Sequence, residues 1–204
     1  MAWIFVALSV PAVSSAVNFV DKYVLESRVK DYRGMIIYSA IVGFIFGSFC
    51  WGMSGFVFPG ARDFALIILA GILMMAHLAF YFCALSFEST GNVIFFFQMT
   101  PLVVFGLSIF FLGEALNVRQ CAGFFLILSS VLAISWFARK NMRGEEKKQS
   151  TSLMLIFGAS LCVAVAAILI KFSSQTVGFL TLLSCESWGI GIGGTILFLS
   201  LIHI

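Results

Sequence analysis

Residues Phe64–Phe87 read FALIILAGILMMAHLAFYFCALSF. One ionisable side chain, His77, interrupts a run long enough to cross about 30 Å of hydrocarbon at roughly 1.5 Å per residue. Lipid offers no partner for backbone N–H and C=O groups, so such a segment must pair them internally. Its apolar residues do not alternate with polar ones, as those of a barrel strand would. The stretch is therefore expected to be a membrane-spanning helix.

Six more segments share this character: Ala2–Val20, Met35–Phe58, Asn92–Leu112, Val118–Ala138, Leu153–Ile170 and Val177–Phe198. Composition agrees. Of 204 residues, 61% are hydrophobic and 10% charged, with 24 Phe, and the mean hydropathy is +1.10. An ordinary soluble chain is about a quarter charged. Too few charges remain to cover a water-facing surface, which excludes a soluble globular enzyme, a disordered tail and a coiled coil. The expected fold class is all-α, a polytopic membrane helix bundle. The net charge of +3 is no nucleic-acid signal, because the Lys and Arg residues lie in short loops rather than on one basic face. Cys50, Cys83, Cys121, Cys162 and Cys185 are spread through apolar stretches and read as small buried hydrophobes rather than a metal or redox site. Met1-Ala2-Trp3 lacks a basic start, so no cleavable leader is expected.

Most connections are tight, such as Glu88–Gly91 and Gly113–Asn117. The stretch 139–152 is different, being polar and densely charged. It divides the chain into a five-helix unit, 1–138, and a partial second unit, 153–198. The first and sixth segments both carry small residues and close on a lysine, Lys22 and Lys171. The second unit therefore echoes the first two helices of the first. An odd number of helices per unit forces the two copies into opposite orientation. Gly43/Gly47 and Gly189/Gly193 form GxxxG spacings that let helices approach closely in lipid. Lys22, Arg28, Lys30 and Arg33, with Arg139, Lys140, Arg143, Lys147 and Lys148, fall on one side. Arg62, Arg119 and Lys171 fall on the other. The positive-inside rule then places the first and fifth loops in the cytoplasm and the N-terminus outside.

Polar groups inside a span are the functional candidates, because burying an ionisable one costs roughly 2.5–3.5 kcal/mol on insertion scales. His77 lies near the middle of the third helix, as a proton shuttle or as a neutral ring bonded to a neighbouring helix. Glu186 could bind a proton or a cation, or could sit near the interface if the seventh helix starts late. Lys22 and Lys171 could meet an anionic substrate between the units, or snorkel to headgroups. Asp21, next to Lys22, could simply neutralise it. Asn18 shares a face with Lys22, and Tyr81 shares one with His77. Gln98 and Pro101 mark the fourth helix, and Pro101 withholds one helix hydrogen bond. Asn18, His77, Tyr81, Gln98 and Pro101 together could form a polar stripe from three helices, lining a cavity. No catalytic group, cofactor motif, ATP-binding loop or metal-ligand spacing is encoded.

Several residues carry a family resemblance. They are Tyr81, Ala84 and Leu85 closing the third helix, Pro101-Leu102 in the fourth, Gly113-Glu114 at its end, and Gln120 and Gly123 opening the fifth. With Asn18–Tyr23 in the first helix, this pattern resembles the EamA-type domain of the drug/metabolite transporter superfamily. The resemblance implies two inverted five-helix repeats around a central cavity, and movement of small metabolites, often outward. On that basis the chain is expected to be a secondary, ATP-independent exporter in the cytoplasmic membrane of a bacterium or archaeon. Its partners are then the lipid bilayer and a small-molecule substrate, with no nucleic acid. The competing expectation is a non-transporting seven-helix protein, of receptor or retinal type or an accessory subunit. A retinal protein would need a lysine in the seventh helix, and none is there. The family layout puts both termini in the cytoplasm, opposite to the loop charges. Leu199–Ile204 is what CTG TCT CTT ATA CAC ATC encodes, which resembles a transposon end used in preparing sequencing libraries. The chain is accordingly expected to be a fragment with a foreign tail, holding five helices and the first two of the inverted repeat. It would then transport only if a homodimer of five-helix units formed.

Overall fold

A computed structural model describes residues 2–29, 31–87, 93, 97, 100–112, 117–140 and 146–202. Seven helices cover them: α1 Ala2–Val24, α2 Tyr32–Met53, α3 Ala61–Phe87, α4 Thr100–Leu112, α5 Val118–Lys140, α6 Glu146–Ser173 and α7 Phe179–Ile202. Val93 and Phe97 are helical too. The molecule is all-α, with no strand among the described residues. Four helices are long and apolar enough to cross a membrane: Tyr32–Met53, Ala61–Ser86, Met154–Ser173 and Phe179–Ser200.

The helix ends follow from local chemistry. α1 runs past Val20 and passes into a π-helical turn, Leu25–Val29. Asp31, in extended backbone, caps α2 by accepting from the Arg33 N–H at 3.1 Å. α2 stops at Met53, short of the expected Phe58. Gly55 and Phe56 take left-handed φ values of 74° and 60°, which a helix cannot continue through. Phe56 bears that strain while its ring stands edge-on to Trp51, centroids 4.8 Å apart. The charged stretch 139–152 is largely helical: α5 extends to Lys140 and α6 begins at Glu146, while 141–145 lie outside the described residues.

Small residues set the packing. α7 lies against both α2 and α3, and α3 also packs on α6. A Cβ at Gly43 would sit 2.8 Å from the Ser187 carbonyl oxygen, and one at Gly47 would sit 2.9 Å from that of Ser184. On the other side of α7, a Cβ at Gly71 would strike the Glu186 carbonyl oxygen and lie 2.7 Å from the Gly189 Cα. Both GxxxG pairs thus serve as helix contacts, and Gly71 joins them. Ser184 Oγ ties the first contact by donating to the Gly47 carbonyl at 2.8 Å.

These contacts also fix helix direction. Asn18 meets Tyr81 and Lys22 meets Leu85, so α1 and α3 run parallel. His77 meets Ala159 while Asp63 meets Thr176, just beyond α6, so α6 runs antiparallel to α3. α1 and α6 therefore point in opposite directions. So do α2 and α7, since Ala40, Gly43 and Gly47 face Gly194, Gly191 and Trp188 in descending order. This is the directional relation that inverted units require.

Candidate functional site

The C-terminal turns of α1 lie along the C-terminal half of α3. The bodies of Val10, Val13 and Val17 are exposed, so α1 is held chiefly near its end. Tyr81 is buried, and its hydroxyl faces the Asn18 Oδ1 at 2.9 Å and the Asp21 Oδ2 at 3.2 Å. One turn further on, Lys22 Nζ donates to the Leu85 carbonyl at 2.6 Å and pairs with Glu26 at 3.2 Å. Leu85 belongs to the last turn of α3, where carbonyls lack helix partners and the helix dipole favours a cation. Lys22 thus caps a neighbouring helix. Consecutive residues diverge by about 100° on a helix, so Asp21 turns to Tyr81 and Lys22 to Glu26.

His77 continues this line toward the middle of α3. Its ring lies nearly parallel to that of Tyr81, at an interplanar angle of 12° and centroids 6.4 Å apart. His77 Nδ1 lies 3.2 Å from the Ala159 carbonyl oxygen of α6, the geometry of a donated N–H bond. Phe97 packs against both rings, with centroids 5.3 Å from His77 and 5.6 Å from Tyr81. α4 is joined to α6 by Thr100 and Ser160, whose hydroxyls are 2.8 Å apart. Asn18, Tyr81 and His77 therefore form one polar seam across α1, α3 and α6, with an aromatic wall supplied by Phe97.

The other expected members fall elsewhere. Gln98 lies outside the described residues. Pro101 is exposed. Its missing N–H leaves the Phe97 carbonyl, four residues back, without the usual helix donor, so any role at the seam runs through Phe97. Lys171 sits at the far end of α3 from Lys22. α6 ends at Ser173, and Thr176 donates to Asp63 at 2.9 Å, whereas Lys22 reaches Leu85. Along α3 those levels are about 33 Å apart at 1.5 Å per residue, so the two lysines cannot meet one anion. Glu186 is half-buried and well inside α7, about 10 Å from its start at Phe179. A late start of the helix is thereby excluded. Its backbone faces Gly71, roughly a turn and a half from His77, on a different face of α3. Sequence reading set Asp21 only beside Lys22, and passed over Thr100, Ser160 and Gly71. Of these, only Asp21 carried a signal, an acidic residue one turn after Asn18.

Among the described residues, no group of three or more His, Cys, Asp or Glu side chains is placed to hold a metal ion. Residues 1–136 match the sequence profile of the EamA-like transporter family. No curated protein and no solved structure shows significant similarity to the chain.

Proposed function

The chain belongs to the EamA-like transporter family, and we propose that it is a secondary exporter of small metabolites whose solute passes along the α1–α3–α6 seam. The family is one of integral membrane transporters of small molecules, which supports reading the chain as a non-enzyme. The observation that supports the route is the bond between Tyr81 and Asn18 at 2.9 Å, in line with His77. Lipid-facing polar groups are costly, yet these three are gathered where parallel α1 and α3 meet, with antiparallel α6 alongside. The proposal extends to Gln98 as a further contact, to Pro101 through the Phe97 carbonyl, and to Glu186 as a separate contact where α7 meets α3. Lys22 and Lys171 would act at opposite mouths rather than on one anion.

Residues 1–138 and 153–198 are proposed as two units joined by the charged stretch 139–152, in a bacterial or archaeal cytoplasmic membrane with that stretch in the cytoplasm. A homodimer of five-helix units would complete the cavity wall. Proteoliposomes loaded with amino acids, nucleosides and amines test this. Chain-dependent release that rises with the square of protein density at low density is expected. Release equal to that of protein-free liposomes would refute it.

A further inference from the structure

We propose that the turn between α2 and α3 is a lipid-binding site in the membrane interface. The Trp51 indole N–H donates to an ester carbonyl of a diacyl lipid, and the Phe56, Val57 and Phe58 side chains lie along its acyl chain. The turn joins two candidate spans, yet no charged residue lies between Arg33 and Arg62. Met53, Phe56, Val57 and Phe58 are each more than half exposed. The other turn at this end of the bundle, which Thr176 ties to Asp63, is polar: Ser173-Ser174-Gln175-Thr176. Facing water would cost the first turn the hydration of its apolar surface. The boundary between headgroups and acyl chains accepts both its rings and its indole groups.

The turn is held in place by its own backbone. The Phe56 N–H donates to the Trp51 carbonyl at 3.1 Å and the Gly55 N–H to that of Gly52 at 3.2 Å, the pair of bonds that closes a helix. Phe58 and Trp188 stand 5.0 and 5.3 Å from Trp51, centroid to centroid. Two indole groups therefore meet here, and their N–H donors differ. Trp188 Nε1 donates to Ser48 Oγ at 3.4 Å. Trp51 Nε1 is enclosed and meets no acceptor among the described residues. An indole nitrogen is a donor only, and a buried one ordinarily finds a partner, so its complement is an oxygen from outside the chain. Trp51 lies two residues before the end of the span Tyr32–Met53. That is the depth of ester carbonyls, below the phosphates. A Cβ at the neighbouring Gly52 would meet nothing within 4 Å, which leaves room for the lipid.

The test is native mass spectrometry of the 204-residue chain released from micelles that hold dioleoyl phosphatidylcholine or its ether-linked analogue. The analogue keeps the phosphate and lacks the ester carbonyls. The chain should bind the diester lipid about two- to tenfold more tightly, the worth of one neutral hydrogen bond. Trp51→Phe keeps a ring and should abolish that preference. Trp188→Phe, whose N–H is already given to Ser48, should retain it. Equal affinity for the two lipids, a preference that survives Trp51→Phe, or its loss in Trp188→Phe as well would overturn the proposal. The seat of the turn is read separately, in liposomes and in a background lacking the native cysteines. Val57→Cys should be protected from a charged, impermeant thiosulfonate to which Ser174→Cys, in the polar turn, reacts. Equal rates would put the α2–α3 turn in water and overturn the site. So would spontaneous disulfide dimers of Val57→Cys, which would assign this surface to a second copy of the chain.

Discussion

Replacing Gly71 with alanine puts a methyl group where α3 meets α7. The new Cβ would strike the Glu186 carbonyl oxygen and lie 2.7 Å from the Gly189 Cα, both backbone atoms that no rotamer change can move. Ordinary contact begins near 3.4 Å, so the helices must separate by about 0.7 Å against the Gly189 Cα alone. Overpacking of this kind costs roughly 1–3 kcal/mol. Alanine also favours helix over glycine by up to about 1 kcal/mol, which would mask part of that cost. Gly106→Ala supplies the control, because nothing lies within 4 Å of a Cβ at Gly106. Both variants gain the same propensity, and their difference isolates the clash. Reversible unfolding in mixed micelles should show Gly71→Ala less stable than Gly106→Ala by roughly 1–3 kcal/mol, about 5- to 150-fold in the equilibrium constant. Equal stability of the two variants would refute the close approach of α3 and α7.

Three further outcomes follow from named contacts. Tyr81→Phe removes the hydroxyl between α1 and α3, and should cost about 1–2 kcal/mol while raising amide hydrogen exchange in the last turns of α1 over that in α7; unchanged exchange there would contradict the tether. Lys22→Met leaves the Leu85 carbonyl and Glu26 without their cation, and should cost about 1 kcal/mol, whereas Lys171→Met, exposed at the other end, should change stability by less than about 0.5 kcal/mol. A cysteine at Lys147 in a background lacking the native cysteines should react with an impermeant maleimide only from the cytoplasmic side; labelling from outside would restore the family's usual layout.

What the sequence revealed was periodic, and what it hid was relational. Seven apolar runs predict seven helices because burial in lipid leaves the backbone no alternative. The GxxxG pairs announced close contacts because their spacing repeats on one helix face. The same spacing logic put His77 with Tyr81 and Asn18 near Lys22. It said nothing of how α1 is rotated against α3, so Asp21, rather than Lys22, proved to be the charged residue at Tyr81. Gly71 lacks a second glycine at helical spacing and carried no signal, although it sits at one of the tightest crossings. Lys22 and Lys171 looked equivalent because each closes the corresponding helix of its unit. In the structure they stand at opposite ends of α3, because α1 and α6 run in opposite directions. Pro101 was read as part of the stripe, but its effect lies on the carbonyl of Phe97, a residue whose apolar side chain drew no attention.

The central claim is that Asn18 borders a water-accessible seam rather than lipid. Single cysteines at Asn18 and at Val17, which is exposed on the neighbouring face at nearly the same depth, compare the two environments directly. With the native cysteines replaced and the protein in liposomes, reaction with a charged, membrane-impermeant thiosulfonate needs water to ionise the thiol. The account predicts rapid modification of Asn18→Cys and little of Val17→Cys. Faster modification of Val17→Cys, or equal rates at the two positions, would contradict it.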